Sequence, residues 1–313
     1  VLPVLNRQAV EFGLQTALAL GCRINRHTAF DRKNYYYPDL PKNYQISQNH
    51  ANLGVDGALD LDVDGATRRV RIANVHLEED AGKLIHPDDA PTLLAAEGAA
   101  LDPTTRARLA HLTMVDLNRA GTPLVEIVTE PDMRSVEEAR VYMDTLAAIL
   151  RTLGVSECKM QEGDLRFEPS ISLRPPGQDA FGTRVEIKNV NSMRAVVRAL
   201  EYEVRRQSDA LDHGEAVARE TRLWDEDGGR TAPMRSKELA HDYRYFPEPD
   251  LVPLDIDDAW LDRLRAAMPE LPAARQRRFV AAMGLPDADA RLLAADRPLA
   301  DYFEACVRLG ADP

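Results

Sequence analysis

Leu59-Asp60-Leu61-Asp62-Val63-Asp64-Gly65, running on through Val70-Arg71-Ile72 to Val75-His76-Leu77-Glu78-Glu79-Asp80, decides how the rest of the chain is read. Leu59, Leu61 and Val63 alternate with Asp60, Asp62 and Asp64, and a period of two puts the apolar set on one face of a strand and the acids on the other. Asp64-Gly65 supplies two residues that tolerate positive φ in a tight turn, so the chain folds back on itself as an antiparallel hairpin. The return strand then breaks the pattern. Glu78, Glu79 and Asp80 are consecutive, so carboxylates occupy both faces, and no packed strand gains from that. They mark chemistry rather than packing.

Strand patterns recur at Val115-Asp116-Leu117 and at Leu124-Val125-Glu126-Ile127-Val128, with Gly121-Thr122-Pro123 between them, and again around residues 165–173 and 183–188. Asn6 caps a helix carrying Val10, Leu14, Ala17 and Leu18, and Gly21 stops it. Ser135 and Glu138 form a capping box ahead of Val136, Ala139, Met143, Leu146, Ile149 and Leu150, with Gly154 as the stop. A further helix spans residues 194–213. Pro38 and Pro41 make residues 30–45 an ordered surface loop, and the Ala-rich stretch at 87–112 reads as a helical or mobile excursion. The order of elements predicts an α+β fold with a largely antiparallel sheet. Beyond Pro253 the pattern turns to helices punctuated by Pro269, Pro272, Pro286 and Pro298, so residues 1–254 and 255–313 are expected to be separate domains, the second all-α.

The 313 residues carry a net charge of −12 with 44% hydrophobic and 29% charged residues, enough to bury a core and too acidic for a generally basic nucleic-acid coat. Arginines still cluster locally, at Arg194, Arg198, Arg205 and Arg206 and at Arg263, Arg265, Arg275, Arg277 and Arg278. Each group reads first as a solvated helix face and second as an RNA footprint. Cys22, Cys158 and Cys306 are too dispersed for a metal knuckle or a disulfide framework, which predicts a reducing, cytoplasmic setting. No apolar run is long enough to span a membrane.

Walker A, G-x-G-x-x-G, G-x-S-x-G and H-E-x-x-H signatures are all absent. What recurs is a carboxylate on an otherwise apolar strand: Glu78, Glu79, Glu126, Glu162, Glu168 and Glu186. Acids converging on one face repel unless a cation neutralises them, and hard oxygen ligands favour Mg²⁺. Arg166, Arg174, Arg184 and Lys188 on the same segments add the cations that phosphoryl transfer requires. Ordinary cross-strand ion pairing explains the same mixture from spacing alone. Residues 235–250, which interleave Arg235, Lys237, His241, Tyr243, Arg244, Tyr245 and Phe246 with prolines, suit either a stacked base or a domain clasp. The seven histidines show no ligand spacing, so each reads as structural.

Seven stretches taken together closely resemble the GatB family, the GatB subunit of the aspartyl/glutamyl-tRNA amidotransferases: LPVLN (2–6), FDRKNYYYPDLPKNYQIS (30–47), HLEEDAGK (76–83), DLNRAGTPLVEIVTEPD (116–132), FGTRVEIKNVNS (181–192), ETRLWDE (220–226) and HDYRYFPEPDLVPL (241–254). The resemblance implies a catalytic cradle related in fold to glutamine synthetase, then a helical domain. It implies an ATP-dependent ligase that phosphorylates the side-chain carboxylate of Glu or Asp misacylated on tRNA. Ammonia then displaces the phosphate to give Gln-tRNA(Gln) or Asn-tRNA(Asn). It also implies a heterotrimer with the amidase GatA and the small protein GatC, and a larger complex with an aminoacyl-tRNA synthetase.

Carried over residue by residue, the resemblance makes Glu79 a Mg²⁺ ligand, with Glu78, Glu126, Glu162 and Glu186 as further candidates. It places Arg184 and Lys188 near the transferring phosphate, Arg174 and Arg244 at ATP, and Lys42 and Tyr44 at the ammonia channel. In that family a G-L-E-V-H strand and a Cys-containing zinc knuckle precede LPVLN. Neither occurs in this sequence, so the family's zinc site is expected to be absent from the chain. The rival readings are a non-catalytic tRNA-binding scaffold and a small-molecule ligase of the glutamine synthetase type.

Overall fold

Asp64 and Gly65 both have positive φ, 53° and 76°, the backbone that a two-residue hairpin turn needs between the strands Gly54–Val63 and Ala66–Glu79. These are the central strands of a four-stranded sheet, flanked by Arg23–Ile24 and Pro123–Thr129. The computed structural model describes residues 3–85, 102–234 and 243–313. Alternation does not run unbroken along the return strand. Val70 and Ile72 are buried, then Val75 and Leu77, because a bulge between Ile72 and Asn74 inserts one residue and moves the buried face from even to odd positions. Asn74, His76 and Glu78 therefore share the other face, and Glu126 pairs directly opposite His76.

One unit comprises the described residues of Val1–Gly57, Ile72–Thr129 and His241–Ala266. Its helix Arg7–Ala19 begins at Asn6, whose side chain accepts from the N–H groups of Gln8 and Ala9. The helix lays Val10 and Leu14 against Phe30, Leu53, Leu77 and Ile256, and Leu261 and Leu264 of the helix Asp258–Ala267 complete this core. The stretch expected to be a loop holds a hairpin instead. Asp31–Asn34 pairs antiparallel with Tyr44–Ser47, and Phe246–Pro247 adds to the other side of Asp31–Asn34. Pro38 and Pro41 fall in the connection, outside the ladder, and so cost it no hydrogen bond. Of the excursion expected at 87–112, Pro103–Leu109 is a helix, while 86–101 lie outside the described residues.

The other unit comprises the described residues of Ala58–Arg71, Glu130–Ala240 and Ala267–Pro313. Ser135 caps the helix Val136–Leu153 by accepting from Glu138 N, and Gly154 ends it in the left-handed conformation. Ser170–Ile171, Val185–Lys188, Glu220–Asp225 and Arg230–Pro233 form a second sheet of four strands. Its one parallel contact, Val185–Lys188 with Glu220–Asp225, is bridged by the helix Met193–Asp212, as a parallel crossover requires. Pro272–Met283, Asp287–Ala294 and Arg297–Arg308 pack around Phe279, Ala290 and Ala300. Arg275 and Arg278, weighed from sequence as a solvated or RNA-facing surface, are ion-paired with Asp301, Glu304 and Glu270 within these helices. The described chain is α+β with mainly antiparallel sheets. Among the described residues no helix is long and apolar enough to cross a membrane.

Candidate metal centre

His76 and Glu78 sit two residues apart on one face of Ala66–Glu79, and Glu126 reaches the same face from Pro123–Thr129. His76 Nε2 lies 3.3 Å from Glu126 Oε2 and 3.6 Å from Glu78 Oε1. One ligand atom from each of the three falls within 4.8 Å of the other two. The second ring nitrogen, Nδ1, is 2.8 Å from Asn74 Oδ1, which holds the imidazole with Nε2 toward the acids. Gln45 and Ser47 alternate with Tyr44 and Ile46 on their strand, so both face Glu78. Ser47 Oγ donates to Glu78 Oε1 at 2.6 Å and Gln45 Nε2 donates to Oε2 at 3.1 Å. Around the cluster opens a cavity of about 220 Å³, lined also by Lys33, Asn52 and Tyr245.

The electrostatics are those of acids short of a cation. Burial pulls the His76 pKa down, but Glu126 and Glu78 outweigh it, and the net result is a rise to about 9. Burial likewise works against charge on Glu78, yet hydrogen bonds from His76 and Ser47 and the nearby Lys33 hold its carboxyl below the usual range. Protonated His76 thus fills the role that a bound cation would take. Two carboxylates are the hard ligands that Mg²⁺ takes, and an imidazole already fixed through its other nitrogen extends the set toward Mn²⁺ or Zn²⁺. The donor set fits a divalent ion.

Of the sequence candidates, Glu78 and Glu126 meet here. Glu79 follows Glu78 on the strand and is engaged elsewhere: Ile46 N donates to its Oε1 at 2.8 Å, and Lys42 Nζ is ion-paired with the same oxygen. Lys42 Nζ also lies 4.7 Å from the centre of the Tyr44 ring, so these two residues and Glu79 form one contact group. Arg244 has φ 42° and its carbonyl accepts from Asn34 Nδ2 at 2.9 Å. Arg235 to Asp242, part of the candidate stacking loop, lie outside the described residues, whereas Glu248 in the same stretch clamps Arg32 through two hydrogen bonds of 2.8 and 3.0 Å.

The remaining candidates belong to the other unit. Glu186 and Lys188 share a face of Val185–Lys188, 3.9 Å apart, with Arg184 exposed just before the strand. Glu162 ends a short 3₁₀ turn and lies 3.4 Å from Lys159. Glu168 precedes the strand Ser170–Ile171, and Arg174 donates to the Asp179 carbonyl.

His76 is the residue that sequence reasoning misses, because ligand spacing along the chain says nothing of neighbours across the sheet. The usable signal is the step from Val70 and Ile72 to Val75 and Leu77. That change of phase announces the bulge and turns His76 to the side of Glu78.

A family model described as the GatB/GatE catalytic domain matches residues 1–262. Among curated relatives, the GatB subunit of the aspartyl/glutamyl-tRNA(Asn/Gln) amidotransferase from Moorella thermoacetica is 55% identical over 307 residues, which are 98% of this chain and 61% of that protein. The protein of the same name from Carboxydothermus hydrogenoformans is 50% identical over 313 residues, all of this chain and 62% of its own length. That from Geobacillus thermodenitrificans is 52% identical over 313 residues, again all of this chain and 61% of its own length. The chain therefore spans about three fifths of the relatives it matches.

Proposed function

The chain belongs to the GatB/GatE catalytic-domain family, and from that premise we propose that it carries the kinase and transamidase chemistry of a tRNA-dependent amidotransferase. The γ-phosphoryl group of ATP passes to the side-chain carboxylate of Glu or Asp misacylated on tRNA, and ADP leaves. Ammonia then attacks the acyl carbon, phosphate departs, and Gln-tRNA(Gln) or Asn-tRNA(Asn) results. The observation that carries this reading is the convergence of His76, Glu78 and Glu126 on a polar cavity inside the matched domain.

Mg²⁺ held by Glu78, Glu126 and His76 would neutralise charge on the transferring phosphoryl oxygens. Asn74 and Ser47 keep the imidazole and the Glu78 carboxylate in place, so little reorganisation is needed when charge arrives. Arg244, described with the cluster in one unit, is assigned to ATP. Lys42 and Tyr44 are assigned to the ammonia path, where the Lys42–Glu79 pair would act as its gate. Ammonia comes from glutamine hydrolysis in an amidase partner, within a cytoplasmic heterotrimer of GatA, GatC and this chain.

The test is amidation of Glu-tRNA by the reconstituted trimer with γ-labelled ATP. Label should reach an acyl phosphate. Amidation that proceeds with ATP withheld overturns the proposal.

A further inference from the structure

Phe181 is 56% exposed, and two guanidinium groups lie over it. Arg174 Cζ is 5.1 Å and Arg134 Cζ 5.8 Å from the ring centroid. Among the described residues neither cation is ion-paired with a carboxylate. Arg174 Nη1 donates to the Asp179 carbonyl, and Arg134 Nη1 to those of Pro131 and Met133 at 2.6 and 3.1 Å. Each guanidinium has five N–H donors, so most are left for a ligand. The backbone beside the ring makes a close approach. A Cβ on Gly182 would stand 1.9 Å from the Leu173 carbonyl oxygen, an approach open only to glycine, and it brings Phe181 beside Arg174.

Arg134 also borders a cavity of about 330 Å³ with Arg68, Arg69, Asp132 and Glu138. The acids there are engaged internally. Asp132 accepts from Arg71 N, Nε and Nη2, and Glu138 accepts from Arg134 N. Arg69 is held by Asp60, whereas Arg68 has its Glu138 contact only at 3.7 Å. Arg68 and Arg134 are the cations this cavity can offer.

An open aromatic face flanked by guanidinium groups and continuous with an arginine-lined cavity suits single-stranded nucleic acid, whose bases stack and whose phosphates pair with arginine. A free nucleotide is instead held in a cleft that buries most of it. We infer that Phe181, Arg134 and Arg174 form a stacking platform for an unpaired RNA base, with Arg134 and Arg68 taking the adjacent phosphate. This rests on the RNA-substrate reading above and gives that substrate a contact surface.

Anisotropy of a labelled single-stranded adenylate heptamer tests it, with MgATP titrated separately. Phe181→Leu, which keeps apolar bulk and loses the π face, should weaken the RNA by roughly tenfold or more, while Phe181→Trp retains it. Thermal midpoint and MgATP affinity should not move. Arg134→Gln should lower the salt slope of RNA binding by about one. RNA affinity unchanged in Phe181→Leu overturns the inference, as does a loss confined to MgATP, which would make the ring a nucleotide site. Binding is read without amidation, so a chain that passes here but amidates without ATP sinks the functional proposal alone.

Discussion

Two carboxylate networks, one in each unit, differ in burial and in what neutralises them. Glu203, with no solvent exposure, receives Arg206 through two hydrogen bonds of 2.9 and 2.8 Å, Gln207 at 2.9 Å and the Thr231 hydroxyl at 2.5 Å, with Arg222 Nε at 3.2 Å. Glu78 has a hydroxyl, an amide and a shared imidazole, with a second acid, Glu126, beside the same ring. In the first network two acids, Glu203 and Glu220, are matched by two arginines, Arg206 and Arg222. In the second, two acids share one titratable base at the wall of a cavity. An acid matched by arginine staples the fold, whereas acids in excess of fixed cations leave room for a ligand.

The largest effect should come from breaking the staple. Glu203→Ala leaves Arg206 without its acid and Arg222 with Glu220 alone, which should cost about 3 kcal/mol of unfolding free energy by urea titration. Amidation per folded molecule should hold. The reverse result, stability kept and activity lost, would erase the distinction between the networks. Next come Glu78→Gln and Glu126→Gln, which preserve shape and remove a negative charge. Each should lower amidation by about a hundredfold, some 2.7 kcal/mol, with the thermal midpoint within about 2 °C of the parent. A smaller change sharpens the comparison from behind the ligand: Asn74→Ala frees the His76 ring and should weaken Mn²⁺ binding about tenfold, read by electron paramagnetic resonance.

How far each network is legible in the sequence follows from what each requires. The hairpin is readable because Asp64-Gly65 and the alternation of Leu59, Leu61 and Val63 are local signals. The helix caps at Asn6 and Ser135 are readable for the same reason. Glu78 and Glu126 are readable as acids on apolar strands, but their meeting depends on the register of Ala66–Glu79 against Pro123–Thr129, which one bulge sets. The hairpin of Asp31–Asn34 and Tyr44–Ser47 is hidden because proline signals breakage without saying whether it breaks a strand or merely joins two. Glu203 is not legible as a staple at all. Its partners Arg222 and Thr231 come from strands beyond the helix, and only the tertiary fold pairs them.

The smallest effect, and the one that isolates charge from shape, is the acid limb of stability. Burial alone would raise the Glu203 pKa, but Arg206, Gln207 and Thr231 outweigh it and hold the carboxyl below its ordinary 4.5. The folded state therefore binds this proton less readily than the unfolded chain does. Its contribution is complete above pH 4.5 and is lost as pH falls through the folded value. Urea midpoints measured from about pH 7 down to about 3.5 should thus decline more steeply for the parent chain than for Glu203→Gln, which keeps the hydrogen-bonding outline and has no proton to gain. The effect is smaller than that of Glu203→Ala because protonation leaves the oxygens able to accept from Gln207 and Thr231. Parallel curves for the two chains would mean that the arginines hold Glu203 by shape rather than by charge, and charge matching would no longer separate the staple from the site.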